Sequence, residues 1–321
     1  MTRKRLFDVL KIVISLTLII VILRSVNIEA LWEVVRNANL WYLLAAQGLL
    51  LLGVVVRAYR WRILVRDQGV NASLRELTAL YFVGFLFNNI LPSGFGGDAV
   101  KMYELSDRSK RGAEAVSSVL VDRFIGLIAL QAIALIALAF SWRLMPTWIV
   151  ILTVSFFAGS LMVAWVVSYR PLWNALDRWV PLFNRLLSIK PLRSLVTSLQ
   201  SYSGSALLRA FGVGIVFNVL LIAANVLIGT ALGLELPLPY YMIFVPITSL
   251  VLVLPISFAG LGVREGAYVF LFTQAGAAPE VALSVSLLVY VLGTVVPGLI
   301  GGVIYVLRGA RDYGEIKQQE L

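Results

Sequence analysis

Long apolar runs alternate with short charged segments along most of the chain. A membrane-spanning helix needs about 20 mostly apolar residues, and six runs approach or reach that length. These runs are residues 9–23, 40–56, 122–140, 148–168, 210–232 and 281–307. The pattern therefore predicts an all-α polytopic membrane protein with about six full transmembrane helices.

Two further apolar runs, residues 77–90 and 240–254, each lead into a stretch that contains proline and glycine. The first motif, residues 91–101, reads Leu-Pro-Ser-Gly-Phe-Gly-Gly-Asp-Ala-Val-Lys. The second motif, residues 254–264, reads Leu-Pro-Ile-Ser-Phe-Ala-Gly-Leu-Gly-Val-Arg and aligns with the first without a gap. Proline removes a helix hydrogen bond, and glycine permits backbone conformations that other residues avoid. A broken apolar helix at corresponding places in two halves indicates a transporter binding site.

The distribution of charge predicts how each motif meets the membrane. Basic residues flank the first motif on both sides, so we expect it to enter and leave on the cytoplasmic face as a re-entrant hairpin. Three predicted spans separate the motifs, so the second hairpin is expected to enter from the opposite face. The result would be an inverted repeat whose broken tips meet near the membrane midplane. The alternative is that both motifs are full crossings, which gives eight spans.

The chain is predicted to form a single transmembrane domain over residues 1–321. Its first half is residues 1–168, its second half is residues 169–307, and residues 308–321 form a cytoplasmic tail. Basic residues near both ends predict that the N- and C-termini lie on the cytoplasmic side of the cell inner membrane. The spacing of leucines and aromatic residues over 172–187 predicts an amphipathic helix on the cytoplasmic leaflet.

Composition narrows the class of protein further. The chain has 321 residues, of which 60% are hydrophobic and 14% charged, and its mean hydropathy of +0.90 is far from that of a soluble domain. The net charge of +10 fits basic cytoplasmic loops and contact with anionic lipid, and it does not indicate nucleic-acid binding. The absence of Cys and His excludes disulfides, thiol chemistry, histidine bases and zinc sites built on those ligands. We expect no cofactor and no metal.

Each motif can start a new helix just after its glycines. Free N–H groups and the helix dipole at such a start favour an anion, and Lys101 and Arg264 follow at matching positions. A lipid phosphate that passed between the two tips would meet N–H donors and one cation from each half. The predicted substrate-binding residues are Asn88, Asn89, Gly94, Gly96, Gly97, Asp98, Lys101, Arg123, Ser257, Gly260, Gly262, Arg264 and Glu265.

Each of these residue types also has a purely structural interpretation. Asp98 can cap its helix, and Asp98–Lys101 or Arg264–Glu265 can form local ion pairs. Asp122 and Arg123 can sit at the membrane interface. Four asparagines can simply bond neighbouring helices, namely Asn88, Asn89, Asn218 and Asn225. Two pairs of glycines have the spacing of helix-packing positions, namely Gly229 with Gly233 and Gly298 with Gly302.

Four sequence segments together resemble a known family. They are Arg-Ala-Tyr-Arg-Trp-Arg-Ile-Leu at 57–64, Asn-Asn-Ile-Leu-Pro to Gly-Asp-Ala-Val-Lys at 88–101, Asp-Arg-Phe-Ile-Gly at 122–126, and Leu-Pro to Gly-Leu-Gly-Val-Arg-Glu at 254–265. In this order they resemble the lysylphosphatidylglycerol synthase transmembrane region, also called the flippase-like membrane protein family, over about residues 6–307. The resemblance implies lipid translocation or lipid handling. In the two-part synthase and flippase this region is joined to a soluble aminoacyl-transfer domain; here only the short tail follows, so we do not expect synthase activity.

The leading functional hypothesis is a flippase or scramblase for an anionic or phosphate-linked lipid in the cytoplasmic membrane. The alternatives are a membrane-embedded transferase for polyprenyl-phosphate or phospholipid substrates, with Asp98, Asp122 and Glu265 as bases or metal ligands, or an accessory subunit of a lipid-modifying complex. We expect that the chain is not an enzyme, because no catalytic motif and no nucleotide-binding loop is present. Membrane lipids are the expected partners, and a protein partner or homo-oligomer is compatible with the sequence.

Overall fold

The computed structural model describes residues 17, 20, 21, 27–91, 95–169, 171, 173, 189–253, 257 and 260–319. Within these residues every regular element is a helix, which confirms the predicted all-α class. The helices before the second half are α1 (Ile28–Arg36), α2 (Leu40–Asp67), α3 (Leu74–Ile90), α4 (Gly96–Ser109), α5 (Gly112–Ser141) and α6 (Thr147–Ser168). The helices that follow are α7 (Lys190–Leu199), α8 (Gly204–Ala231), α9 (Leu238–Val251), α10 (Val263–Gln274), α11 (Pro279–Tyr290) and α12 (Val296–Gln319).

Five helical stretches among the described residues are long and apolar enough to cross a membrane. They are Leu40–Asp67, Gly112–Leu144, Thr147–Ser168, Gly204–Ala231 and Pro279–Arg308. Each overlaps nearly all or all of one predicted span, so the chain is a multi-pass membrane protein. The remaining predicted span, residues 9–23, lies outside the described residues except for three helical positions. The predicted amphipathic helix at 172–187 also lies outside them, apart from Trp173.

Two spanning helices extend well beyond the apolar runs that predicted them. Helix α2 continues to Asp67 rather than ending near residue 56, and α5 begins at Gly112 rather than near residue 122. The extension of α2 carries Trp61 and Leu64, which are both fully buried. The helices therefore continue past the predicted span ends, because polar and charged residues continue a helix wherever one of its faces is packed; where each span leaves the membrane stays a prediction.

Each interrupted motif joins two antiparallel helices. In the first hairpin, Arg108 near the end of α4 donates to Glu76 near the start of α3 at 2.8 Å. In the second, Tyr241 near the start of α9 packs its ring 5.5 Å from that of Phe272 near the end of α10. The four hairpin helices have 12 to 17 residues, or about 18–26 Å at 1.5 Å per residue. This is shorter than the ~30 Å hydrocarbon core of a bilayer, as the predicted re-entrant path requires.

The chain divides into two compact units built from interleaved segments. The first unit is Met1–Val55, Thr78–Val100 and Val219–Leu321, and the second unit is Val56–Leu77 and Lys101–Asn218. This division differs from the predicted one, in which residues 1–168 and 169–307 are two consecutive halves related by a repeat. The predicted halves stay a prediction.

Glycines allow α3 to pack closely against α12 in the first unit. A Cβ atom at Gly298 would lie 2.3 Å from Nδ2 of Asn89, and one at Gly301 would lie 1.9 Å from the carbonyl oxygen of Phe82. Gly302 makes only an ordinary contact, and Gly233, with φ of +74°, has open space around it just after α8. The packing interpretation is therefore confirmed for Gly298, and for Gly229, where a Cβ atom would lie 2.0 Å from the hydroxyl oxygen of Tyr241, but not for Gly302 or Gly233.

Cysteine labelling tests the re-entrant path directly, because the protein contains no cysteine. We expect Gly94→Cys to react with an impermeant maleimide only from the cytoplasmic side and Ser257→Cys only from the outside. A sidedness control is Arg143→Cys, in the exposed turn between α5 and α6. Labelling of both motif positions from one common side would contradict the inverted hairpins.

Candidate functional site

The first motif is closed by Asn88 and by two glycines that start α4. The Gly97 amide donates to the Asn88 side-chain oxygen at 2.7 Å, which ties the start of α4 to the end of α3. A Cβ atom at Gly97 would lie 2.1 Å from the carbonyl oxygen of Gly84, and one at Gly96 would lie 2.7 Å from the Leu91 side chain. Gly96 and Gly97 are therefore required for close packing of the hairpin. Gly94 lies outside the described residues.

Asp98 and Lys101 are both buried on α4. Asp98 is 6% exposed and lies within the first turn, where the helix dipole favours a carboxylate. The capping interpretation of Asp98 was wrong, since the first helical bonds run to the carbonyl oxygen of Phe95. Lys101 belongs to the second unit and is 4% exposed; its ammonium lies 5.5 Å from the ring centroid of Trp61.

The second motif turns through two glycines in the left-handed region. Gly260 and Gly262 both have φ of +80°, a backbone conformation that costs little only for glycine. Helix α10 then begins at Val263, which aligns with Val100 of the first motif. Helix α4 begins four aligned positions earlier, at Gly96, because its glycines are helical. The aligned cations consequently differ in position, with Arg264 in the first turn of its helix and Lys101 in the second.

Arg264 and Glu265 form a buried pair at the start of α10. The Arg264 guanidinium donates to the Glu265 carboxylate, and the two residues are 7% and 4% exposed. The other carboxylate oxygen accepts the Gly262 amide N–H at 2.6 Å, as in one half of a capping box. The predicted local ion pair is thus confirmed. Ser257 is 7% exposed in the same motif.

Tyr290 joins Arg264 of the second motif to Asn89, near the end of the helix that leads into the first motif. The Cζ atom of Arg264 lies 4.0 Å from the ring centroid of Tyr290, and the Tyr290 hydroxyl donates to Oδ1 of Asn89 at 3.1 Å. Nδ2 of Asn89 in turn donates to the carbonyl oxygen of Thr294 at 3.1 Å. We call Asn89, Arg264, Glu265 and Tyr290 the Arg264 network. It lies wholly in the first unit and links the second motif to the helix that precedes the first.

The sequence analysis did not select Tyr290. It occupies an otherwise apolar run, immediately before a π-helical turn at Val291–Val295, and such turns occur often at functional sites. A lone tyrosine in a spanning segment is too common to be selected from sequence, and the π-turn is a property of the folded backbone.

A second buried ion pair lies in the second unit. Arg60 donates to both carboxylate oxygens of Asp122, at 2.7 and 3.1 Å, and each residue is 2% exposed. Gly126 leaves room for the guanidinium, because a Cβ atom at this position would lie 2.6 Å from its Nη1. The predicted place of Asp122 at the membrane interface stays a prediction, and the sequence analysis missed Arg60. Arg123 is half-buried, and its predicted role in binding stays a prediction.

The other predicted asparagine contacts are also present. Nδ2 of Asn218 donates to the carbonyl oxygen of Gly126 at 3.1 Å, and Asn225 accepts the Tyr268 hydroxyl at 2.6 Å. Asn88 and Asn89 likewise bond neighbouring segments, so the helix-bonding interpretation is confirmed for the four asparagines. For Asn88 and Asn89 those bonds lie at the motifs themselves.

The fold and these two clusters define a class: a multi-pass helical membrane protein with two interrupted helix hairpins and with buried ionisable residues. Residues 9–301 match the family described as "Lysylphosphatidylglycerol synthase TM region". The chain belongs to this family, as the resemblance of its motifs implied.

Similar proteins are archaeal membrane proteins. A UPF0104 membrane protein of Methanothermobacter thermautotrophicus is 26% identical over 303 residues, which cover 84% of this chain and 85% of the relative. A UPF0104 membrane protein of Pyrococcus horikoshii is 25% identical over 41% of this chain and 40% of its own length. One of Methanocaldococcus jannaschii is 30% identical over 35% of this chain and 34% of its own length.

Proposed function

We propose that this protein translocates lipids with an anionic or phosphate-linked headgroup across the cytoplasmic membrane. The observation that carries the proposal is the Arg264 network, in which a buried arginine at the start of α10 is connected through Tyr290 to Asn89, two residues before the first motif. The family name refers to a membrane lipid, which supports a lipid-related function.

Buried charges supply the physical argument. Ionisable residues in membrane segments are costly and usually serve substrate pathways. A guanidinium presents planar donors that match phosphate oxygens, and the start of a helix adds N–H groups and a favourable dipole. Lys101, the last residue of the first motif, is another buried cation and lies on α4. Both cations lie on helices that begin at an interrupted apolar segment, as in transporter sites.

We further propose that the chain is not itself an enzyme. Two of the three carboxylates considered as bases or metal ligands, Asp122 and Glu265, are each bonded to an arginine. In the part of the chain that the structure describes, no group of three or more acidic side chains is placed to hold a metal ion.

A liposome assay tests the proposed translocation. The purified protein is placed in vesicles with fluorescent phosphatidylglycerol, phosphatidylcholine or a cationic lipid, and an impermeant quencher reports outward movement. We expect protein-dependent movement of the anionic lipid. Arg264→Ala should slow this movement about tenfold or more, since losing a charge-assisted hydrogen bond costs roughly 1.5–3 kcal/mol. Lys101→Ala should also slow the movement of the anionic lipid.

The matched control is Arg193→Ala, which removes an exposed arginine from α7. Its rate should equal that of the wild type. Each variant is compared only when it elutes as a folded, monodisperse protein. Absence of movement with every lipid, or equal rates for Arg264→Ala, Lys101→Ala and Arg193→Ala, would count against the proposal and favour the accessory-subunit alternative.

A further inference from the structure

We propose that the Glu265 carboxylate occupies the phosphate position of the Arg264 network and that an incoming anionic headgroup must displace it from Arg264. Glu265 would thus be an internal competitor that limits the affinity of the site. This inference rests on the proposed function, because it concerns the same site.

The contacts of Glu265 are those that a bound anion would make. One carboxylate oxygen accepts the Gly262 amide N–H, and the other accepts from the Arg264 guanidinium. A backbone N–H at a helix start and an arginine are the donor pair that proteins use for phosphate. The structure therefore contains an anion at this position, supplied by the chain itself.

Arg264 retains donor capacity beyond this pair. Its side chain is only 8% exposed, yet its Nε–H has no acceptor among the described residues. The Tyr290 ring lies against the guanidinium, and stacking on a ring leaves the donors at the edge of the guanidinium plane available. Besides the contacts of Glu265, this buried donor without an acceptor also points to a ligand.

An internal counter-anion suits a protein that must also release its lipid. Without a ligand, Arg264 and Glu265 are neutral as a pair, which lowers the cost of burying either charge. A ligand gains only the difference between its own contacts and those of Glu265. Transport requires binding that is strong enough to capture the substrate and weak enough to release it.

Glu265→Gln separates this role from simple helix capping. Glutamine serves equally well at this position of a capping box, so the bond from the Gly262 amide can be kept. The substitution removes the charge that competes for Arg264. If Glu265 acted only as a cap, the variant would bind lipid like the wild type; if it only held Arg264 in place, the variant would bind anionic lipid more weakly.

The test measures binding of short-chain phosphatidylglycerol and phosphatidylcholine to purified protein in mild detergent, by the shift in the unfolding midpoint with lipid concentration. We expect Glu265→Gln to bind phosphatidylglycerol about tenfold more tightly than the wild type, with no change for phosphatidylcholine. Adding Arg264→Ala to Glu265→Gln should abolish the gain. The matched control is Glu76→Gln, which removes a carboxylate from a partly exposed pair with Arg108 and should leave affinity unchanged.

Glu265→Asp provides a second variant should Glu265→Gln not fold. Its shorter carboxylate cannot reach both Gly262 and Arg264 equally well, so we expect a smaller gain in phosphatidylglycerol affinity. Unchanged or weaker binding by whichever of the two variants folds would overturn the inference, while slow translocation by Arg264→Ala would still uphold the proposed function. If the wild type neither binds nor moves anionic lipid, the proposed function fails as well.

Discussion

Arg60→Ala is expected to destabilise the protein by about 3–5 kcal/mol, because it leaves Asp122 as an uncompensated buried charge. Both carboxylate oxygens of Asp122 accept from Arg60, and both residues are 2% exposed. Asp122→Asn should also destabilise the protein, by orphaning the guanidinium. The measurement is the free energy of unfolding from a denaturant titration in mild detergent.

Two comparisons make the Arg60 result specific. Arg193→Ala, which removes an exposed arginine, should change stability by no more than about 0.5 kcal/mol. Replacing Arg60 and Asp122 together by Met and Leu should recover much of the loss, since a buried pair can often be exchanged for apolar residues without net cost. Equal stabilities for Arg60→Ala and Arg193→Ala would show that the buried pair contributes nothing.

Gly97→Ala is expected to disrupt the first hairpin at a cost of about 3 kcal/mol, the upper part of the usual range for overpacking. The new Cβ atom would lie 2.1 Å from the carbonyl oxygen of Gly84. That neighbour is helix backbone, which cannot rotate away as a side chain can. Relief requires α4 to move from α3, which would also break the bond between the Gly97 amide and Asn88. Stability and lipid translocation should fall together.

The matched control for this substitution is Gly48→Ala in α2. A Cβ atom at Gly48 would meet nothing within 4 Å, and alanine is favoured over glycine in a helix interior by about 1 kcal/mol. Gly48→Ala should therefore be neutral or stabilising by the same unfolding measurement. Gly97→Ala with wild-type stability would mean that the hairpin does not pack as described.

The backbone conformations at the glycines of the motifs could be predicted from the sequence only in part. Proline and glycine in an apolar run predicted interrupted helices, and both hairpins are present. The sequence also predicted a helix start just after the glycines of each motif, which holds for α10 at Val263, whereas α4 begins at Gly96 itself. Gly260 and Gly262 adopt positive φ, whereas Gly96 and Gly97 are helical. Because glycine permits both conformations, the surrounding packing determines which of them each glycine adopts.

The contacts of the charged residues could also be predicted from the sequence only in part. Arg264 was selected from sequence because a cation follows an interrupted helix, and its bond to the neighbouring Glu265 was among the expected contacts. Arg60 was not selected from sequence as a site residue. Its partner Asp122 is 62 positions away, and no local pattern relates the two.

The sequence by itself determined the class of this protein. Hydrophobicity is a property of local composition, and an apolar run of about 20 residues indicates a membrane-spanning helix. It also determined where two helices break, since proline and glycine act on their own backbone. Only the tertiary structure decided which polar groups meet. Tyr290 and Asn89 are 201 positions apart, and a contact over that distance depends on helix packing, which the linear order of residues does not express.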